Sequence, residues 1–334
     1  MFFRKSNRTE VVEGAVEKVA ALDLLIQTPG LGRMDYDQRR DMTVSCKDTD
    51  YIPKVSGAGS IKTVDGRRVQ LMHNGIVVAA DGYAGKWMTE IITALGGHHE
   101  PQEEKVFFEV LKRLGADATM IELGAWWSYY SLWFNKHVDN PKNICGEPDE
   151  TNLKLGQLNA RLNNIQDIDF LQVASGGDDG QEITIRSDSD NTKMIKVKVR
   201  TVDSLMEEKS IERLDILHMD VQGFEFDSLH GAEKSITSGK VRFVFVSTHH
   251  YIFSKSPTTH ADCIKLIQDW GGHIISSHTI HESFSGDGLI VASFFDEDKD
   301  FSVSTSLNHT DQALFRSYEQ DLGILVESYD KLIG

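Results

Sequence analysis

The chain is poor in cysteine and has no long apolar run. Its 334 residues include three cysteines, Cys46, Cys145 and Cys263, which are odd in number and far apart. This pattern argues against a disulfide framework and is typical of a reducing compartment. A membrane-spanning helix needs about 18 or more apolar residues in a row, and the opening residues lack the apolar core of a signal peptide. We therefore expect a cytoplasmic protein with free thiols and no integral membrane segment.

Basic residues are scarce relative to acidic ones. The sequence has 35 lysines and arginines against 51 aspartates and glutamates, which gives a net charge of −16. The resulting field repels phosphate backbones and anionic lipid surfaces. We therefore expect no nucleic-acid partner. The charge does not identify a substrate, and it leaves a homo-oligomer open.

A dinucleotide fingerprint is missing at the first strand–turn–helix of the chain. Residues 118–134 run from an apolar strand through Glu122 and Gly124 into an aromatic-rich helix, the part of an open α/β sheet that binds nucleotide-like ligands. The spacing is Gly124-x-x-x-Ser128 rather than G-x-G-x-x-G, which disfavours a nucleotide-dependent oxidoreductase. Gly124 allows close approach of the backbone to a ligand. The Glu122 carboxylate would repel a pyrophosphate and attract an ammonium group, which favours S-adenosylmethionine.

A second acid ends the next predicted strand. Glu147 lies 25 positions after Glu122, about the spacing at which a second-strand acid accepts the two ribose hydroxyls of a bound nucleoside. Residues 149–163 then predict an amphipathic helix. An ordinary βαβ unit with acids at exposed strand ends is the alternative. Two acids together with Gly124 favour the adenosyl-ligand site.

Two later strands end in candidate catalytic residues. The strand from Leu214 ends at Asp220, and Glu225 follows the turn at Gly223. Asp220 can orient a hydroxyl directly or through a bound cation. Glu225 can do the same, and the alternative is that it only stabilises the first turn of its helix through the helix dipole. His249 follows another apolar strand and can take a proton near neutral pH, unless it is an exposed loop histidine. A divalent cation at Asp220 is possible but not favoured, and no metal ligands are assigned.

The order of these motifs resembles the FkbM-type methyltransferases between about residues 100 and 291, most specifically in the string Asp-Val-Gln-Gly-Phe-Glu that ends at Glu225. The resemblance implies a class I methyltransferase (Rossmann-like) fold, with a mixed sheet and helices on both faces. It also implies methyl transfer from S-adenosylmethionine, usually to a hydroxyl oxygen. The departures from the family pattern are Glu122 for aspartate, Trp126 for asparagine, Ser128 for the second glycine and His218 for lysine.

The predicted site combines both lines of reasoning. The catalytic residues are Asp220, His249 and Glu225. The cofactor-binding residues are Glu100, Glu122, Gly124, Ala125, Trp126, Glu147, Pro148, Asn152, Ala174, Ser175 and Asp220. The acceptor would be a small molecule, a sugar or a lipid. The alternatives are a non-catalytic binding or scaffold protein that keeps the fold and, less favoured, the oxidoreductase.

The remaining segments predict an α/β protein with an N-terminal α+β extension. Residues 1–100 form a cap or assembly segment, with a helix at 7–28, a polar loop at 33–53 and two or three strands at 61–80. Residues 101–300 form the methyltransferase domain. Residues 301–334 form a C-terminal helix, at 309–332, packed on the core.

Overall fold

The computed structural model describes residues 36–187, 189–190 and 192–308. The helices predicted at 7–28 and 309–332 therefore lie outside the described residues. Among the helices within those ranges, none is long and apolar enough to cross a lipid bilayer.

The N-terminal region is a small meander flanked by helices. It contains α1 (Tyr36–Ser45), β1 (Ile61–Val64), β2 (Arg67–Leu71), β3 (Val77–Ala79), α2 (Gly85–Ala94) and α3 (Pro101–Leu111). The three strands pair antiparallel in chain order, as expected for residues 61–80. The loop predicted at 33–53 is wrong for α1, because tertiary contacts stabilise a helix there. Thr43 Oγ1 donates to the Phe284 carbonyl at 2.8 Å, and Trp87 Nε1 donates to the Tyr36 carbonyl at 2.7 Å.

The rest of the described chain alternates strands and helices. In chain order these are β4 (Thr119–Leu123), α4 (Tyr129–His137), β5 (Lys142–Gly146), α5 (Glu150–Leu162), β6 (Ile168–Leu171), β7 (Ala174–Ser175), β8 (Glu182–Arg186), β9 (Met194–Arg200), α6 (Val202–Glu208), β10 (Leu214–Met219), α7 (Glu225–His230), α8 (Glu233–Thr237), β11 (Val241–Thr248), α9 (Tyr251–Ser254), α10 (Thr259–Asp269), β12 (His273–His278) and β13 (Gly288–Ser293). Residues 280–282 and 296–298 form single 3₁₀ turns.

Seven of these strands form the central sheet, in the spatial order β12-β13-β11-β10-β4-β5-β6. Strands β4, β5, β6, β10 and β11 are parallel, and β13 runs antiparallel to both of its neighbours. This is the mixed α/β sheet predicted for a class I methyltransferase, and the fold prediction is confirmed. The short strands β7, β9 and β8 form a separate small sheet beside it.

Both faces of the central sheet are buried. Side chains alternate between faces along a strand, so Met120 and Ile216 join one hydrophobic cluster, while Ile121 and Leu217 join the other. The first cluster also contains apolar side chains of the N-terminal meander and of α2, α3 and α4. The described part of the N-terminal segment therefore shares its core with the sheet.

Candidate functional site

Several of the predicted site residues lie at the carboxyl edge of the sheet. Strands β4 and β10 are adjacent and parallel, and the chain leaves them in opposite directions along the sheet. This is a topological switch point, where open α/β sheets bind their ligands. The ends of β5 and β11 flank it, so Glu147 and His249 arrive at the same edge as Asp220.

Gly124 begins the loop that follows β4. Its φ is +75°, and a Cβ built there would lie 1.7 Å from the carbonyl oxygen of Asp220. The Asp220 N–H donates to the Leu123 carbonyl at 2.9 Å, which brings the two backbones together. Position 124 thus requires glycine because of the backbone that follows the adjacent strand, and not because of a ligand. The backbone N–H groups of Gly124 and Ala125 both donate to the Gly146 carbonyl, at 2.9 and 3.1 Å.

Glu147 holds this loop in place. The buried carboxylate accepts the Trp126 N–H on Oε2 and the Asp149 N–H on Oε1, both at 2.9 Å. Trp126 has a φ of +40°, so its N–H turns towards the end of β5. The predicted contact of Glu147 with ribose hydroxyls stays a prediction.

Glu122 makes its contacts away from the switch point. Its Oε2 accepts the Ser131 N–H at 2.9 Å and the Cys145 thiol at 3.6 Å, so the side chain lies under the first turns of α4. Burial raises the pKa of this carboxyl above its usual value. These contacts give Glu122 a role in joining β4 to α4, and they do not support the predicted contact with an ammonium group.

Two buried polar atoms near the ends of β5 and β6 have no partner within the described part of the chain. They are Nδ2 of Asn152, in the first turn of α5, and Oγ of Ser175, in β7. Twelve buried side-chain atoms in the described ranges lack a hydrogen-bond partner, and each of them calls for an explanation such as a ligand. Both residues belong to the predicted cofactor set, beside buried Ala174 and half-buried Pro148. These residues therefore fit an adenosyl group.

Glu100 immediately precedes α3. Its Oε2 accepts the Tyr130 hydroxyl at 3.2 Å and lies 3.2 Å from Nε2 of His99. The carboxylate is partly exposed. Burial is the main cause that raises the pKa of Asp287, and the charge of Glu100 adds to it. Glu100 thus adds a negative charge near the switch point, and its predicted contact with the cofactor stays a prediction.

His249 lies at the centre of the acidic part of the site. Its Nδ1 is 2.6 Å from Glu225 Oε1, and its Nε2 is 3.3 Å from Asp220 Oδ1 and 3.6 Å from Asp287 Oδ1. The ring is 2% exposed and Glu225 is fully buried, whereas Asp220 and Asp287 are about one-third exposed at 31% and 32%. Glu225 therefore positions the His249 ring from its buried side, through Nδ1, and cannot itself touch an acceptor.

The surrounding charges control protonation at this site. Burial alone would lower the pKa of His249, yet the three nearby carboxylates outweigh it and raise that pKa well above its usual value. Burial alone would raise the pKa of Asp220, but hydrogen bonding and charge from His249 hold it below its usual value. An imidazolium is thus favoured at neutral pH. The predicted proton-accepting role of His249 stays a prediction, and this arrangement counts against it because a base must be neutral.

Gln222 completes the shell around His249. Its side-chain amide lies 2.8 Å from Nε2 of the ring and 3.4 Å from Asp220 Oδ1. The oxygen and nitrogen of an amide are assigned from the hydrogen bonds they make. A protonated Nε2 requires an acceptor, so the amide oxygen faces the ring.

The sequence reasoning missed Asp287. This residue precedes β13, whose first residue, Gly288, pairs with Thr248 beside His249. An antiparallel strand begins at the edge where its parallel neighbours end, which places Asp287 in the site. The signal in the sequence was the Asp-Gly pair before an apolar run. It places Asp287 in the site only once the strand is known to be antiparallel.

Tyr83 and Arg39 were also missed, because both precede the catalytic sheet. Tyr83 stacks on Trp127 at 4.7 Å between ring centroids and meets Trp126 edge-on at 5.0 Å. Arg39 of α1 donates from Nη2 to the Ser285 carbonyl at 2.8 Å. The N-terminal segment thus reaches the loop after β4 and the loop that carries Asp287.

One set of side chains in the described ranges has the spacing of metal ligands: His73, His98 and Glu104. All three are buried, and the two imidazole rings stack at 3.9 Å between centroids. Glu104 accepts the His99 N–H at 2.7 Å, and His73 Nδ1 lies 3.0 Å from the Tyr129 hydroxyl. The ring planes are nearly parallel, at 18° to each other, so the in-plane lone pairs of the two rings do not converge on one ion, and these contacts favour a hydrogen-bonded core cluster. At Asp220, the imidazolium of His249 already supplies a positive charge.

Comparisons with known proteins identify the family. The sequence profile of the Methyltransferase FkbM domain matches residues 103–274, about half of the chain. Among curated proteins, no sequence matches. Similar solved structures include a precorrin-6y C5,15-methyltransferase from Geobacter metallireducens, with 10% identity, 57% of this chain and 87% of that chain covered, and a TM-score of 0.36.

Two further structures are similar at the same level. One is M. capricolum TrmK in complex with S-adenosyl-homocysteine, with 12% identity, 68% and 85% of the two chains covered, and a TM-score of 0.39. The other is a ribosomal protein L11 methylase from Lactobacillus delbrueckii, with 12% identity, 59% and 81% covered, and a TM-score of 0.32. The assignment rests on the profile match, whose span contains the loop after β4, Glu147, Asp220 and His249. The chain belongs to the family of methyltransferases that carry the FkbM domain.

Proposed function

We propose that this methyltransferase transfers a methyl group from S-adenosylmethionine to a hydroxyl oxygen of a small-molecule, sugar or lipid acceptor. The observation that carries the proposal is the group of Asp220, His249 and Asp287 beside the loop that begins at Gly124. Carboxylates with exposed oxygens can bind a hydroxyl and take its proton, which is what a hydroxyl acceptor requires.

On the cofactor side, the loop from Gly124 to Trp126 would pass beside the ligand. Glu147 would accept the ribose hydroxyls, and the unpaired donors of Asn152 and Ser175 would bind the adenosyl half. When bound, S-adenosylmethionine supplies a methyl group on a positively charged sulfur. The acidic residues across the switch point favour a ligand of that charge.

On the acceptor side, Asp220 would orient the hydroxyl, and the charged His249 would hold the carboxylates on both sides of its Nε2. Glu225 fixes the ring through Nδ1. Orientation matters because the reacting oxygen must approach the methyl carbon in line. Correct orientation of the two reactants can lower the activation barrier by about 7–11 kcal/mol. Asp220 is one-third exposed, so an acceptor can reach it.

We also propose that the N-terminal segment, residues 1–100, acts as a cap on this site. In the described part, Tyr83 packs on the tryptophans of the loop after β4, and Arg39 binds the loop before Asp287. The methyltransferase domain would then span 101–300, with 301–334 packed on its core. Removal of the cap would expose the shared hydrophobic core, so point variants at Tyr83 are the better probe of this role.

Calorimetry and a transfer assay test the proposal. S-adenosylmethionine and S-adenosylhomocysteine should bind, and NAD should not. Radiolabelled methyl transfer to a panel of free sugars, glycolipids and small alcohols should then find an acceptor class. Binding of NAD without binding of S-adenosylmethionine would refute the cofactor. Cofactor binding with no transfer to any hydroxyl would favour the scaffold alternative.

A further inference from the structure

We infer that Asp287 is the proton acceptor of the methyl transfer proposed above and that His249 remains a charged group that orients it. The inference rests on the proposed function and concerns which side chain in the site takes the proton. It assigns to His249 an electrostatic role in place of a proton-accepting one.

Backbone pairing places Asp287 in the site. Gly288 pairs with Thr248 in the antiparallel ladder of β11 and β13, so Asp287 and His249 are the next residues outward on the two strands. Asp287 Oδ1 lies 3.6 Å from His249 Nε2. The carboxylate is 32% exposed, which lets it meet both the ring and a bound acceptor.

The loop before Asp287 is held from three sides. The Arg39 guanidinium donates to the Ser285 carbonyl at 2.8 Å, and the Phe284 N–H donates to Gln102 Oε1 at 2.8 Å. Within the loop, the Gly286 N–H donates to Ser283 Oγ at 2.9 Å. These bonds come from α1, α3 and the loop itself. A proton acceptor must sit within hydrogen-bond reach of its substrate, and this loop is anchored well enough to keep it there.

His249 is a poor candidate for the same task. Its Nδ1 is committed to Glu225, and its Nε2 faces Asp220 and Asp287. A neutral ring would leave these carboxylates without a counter-charge in a mostly buried setting, which is costly. The ring therefore retains its proton and serves as a fixed positive charge.

Asp220 is the other carboxylate that faces Nε2, and it forms the closer ion pair with the ring. Its Oδ1 lies 3.3 Å from His249 Nε2, against 3.6 Å for Asp287 Oδ1. For Asp287, the ion pair with His249 is the one polar contact found among the described residues. Despite its burial, the closer pairing with His249 holds the pKa of Asp220 below its usual value, so Asp287 is the stronger proton acceptor of the two.

The charged groups that face Asp287 come from four elements. They are His249 after β11, Asp220 after β10, Arg39 in α1 and Glu100 before α3. Burial and the two acids outweigh the two cations and raise the pKa of Asp287 to about 6. The group is then ionised at neutral pH and remains basic enough to accept a proton, which is where a general base is most effective.

The step balances without any further reactant. The acceptor oxygen forms a bond to the methyl carbon with one of its lone pairs. The carbon–sulfur bond breaks, and its electron pair stays on sulfur. The O–H bond breaks as its proton moves to the Asp287 carboxylate, which later releases the proton to water.

Two measurements on the full chain test the inference. The first is a ring-nitrogen NMR titration of histidines in the complex with S-adenosylhomocysteine, with His249→Gln used to assign the signal. The ring should stay doubly protonated at pH 7.5. The second compares Asp287→Asn, Asp287→Glu and the exposed control Asp300→Asn in methyl transfer to the best hydroxyl acceptor of the panel.

We expect Asp287→Asn to lower the transfer rate by about 10²–10⁴-fold, the usual contribution of a general base. The S-adenosylhomocysteine dissociation constant should change by less than about twofold, because the substitution removes no contact to the cofactor. The wild-type rate should rise with pH to a plateau with a midpoint near 6, and the asparagine variant should lose that inflection. Asp287→Glu should recover part of the rate, and the control should match the wild type.

Three outcomes would overturn the inference. A neutral His249 ring at pH 7.5 would return the proton-accepting role to His249. Full transfer activity in Asp287→Asn would remove Asp287 from the chemistry and leave the proposed function intact. A wild type that binds the cofactor and methylates no hydroxyl acceptor would reject the proposed function together with the role of Asp287.

Discussion

Replacing Gly124 with alanine tests the close approach of β4 and β10 at the switch point. A left-handed backbone costs an alanine about 1–2 kcal/mol. The new Cβ would also lie 1.7 Å from the Asp220 carbonyl oxygen, so the two backbones must move apart. Forced displacement in a packed interior costs about 1–3 kcal/mol more. The expected loss in the free energy of unfolding is therefore about 2–5 kcal/mol.

Gly180 provides a matched control for this substitution. Its φ is also +75°, but a Cβ there would meet no atom within 4 Å. Gly180→Ala should therefore cost the backbone strain alone, about 1–2 kcal/mol, and both variants share the same change in unfolded-state entropy. Urea unfolding of the three proteins gives the comparison. Equal losses in the two variants would refute the claim that the Asp220 backbone is what requires glycine at position 124.

Three further predictions follow from the same contacts. Glu147→Ala should weaken S-adenosylmethionine binding by about 1–3 kcal/mol in calorimetry, whereas exposed Glu150→Ala should not; equal affinities would make Glu147 a purely structural acid. A Cβ on Gly156 would lie 2.2 Å from Ser128 Oγ, so Gly156→Ala should destabilise the protein, and Ser128→Gly should recover about 0.5–3 kcal/mol in a double-mutant cycle; additive losses would contradict this. All three cysteines are free and buried, so thiol reagents should label them slowly in the native protein and fully after unfolding, and a stable disulfide in protein from its native source would oppose a reducing compartment.

Parallel strands explain why much of the site was predictable from sequence. Each parallel strand of the sheet ends at the same edge, so an acid or histidine after an apolar run can be placed without knowing the strand order. Glu147, Asp220 and His249 were all identified in this way, and they do reach one edge. The strand–turn–helix at Gly124 was likewise visible as a local pattern.

The direction of a strand and the orientation of a side chain were not predictable in the same way. Asp287 immediately precedes β13, and an apolar run does not show that this strand is antiparallel. Glu122 precedes the last residue of β4, and its side chain turns to the face on which α4 packs. The protonation state of His249 depends on carboxylates from two separate segments, residues 220–225 and Asp287, which meet the ring only in the folded chain.

The changes at Trp126 and Ser128 are compensated by residues elsewhere in the fold. Their φ values are +40° and +62°, in the region that the asparagine and glycine usual in the family adopt readily. Trp126 is held there by the bond from its N–H to Glu147, and Ser128 places its hydroxyl where Gly156 has no side chain. The loop after β4 thus keeps a left-handed path with different residues. These substitutions therefore do not indicate a lost cofactor site, and the scaffold alternative would have to rest on a measured absence of methyl transfer.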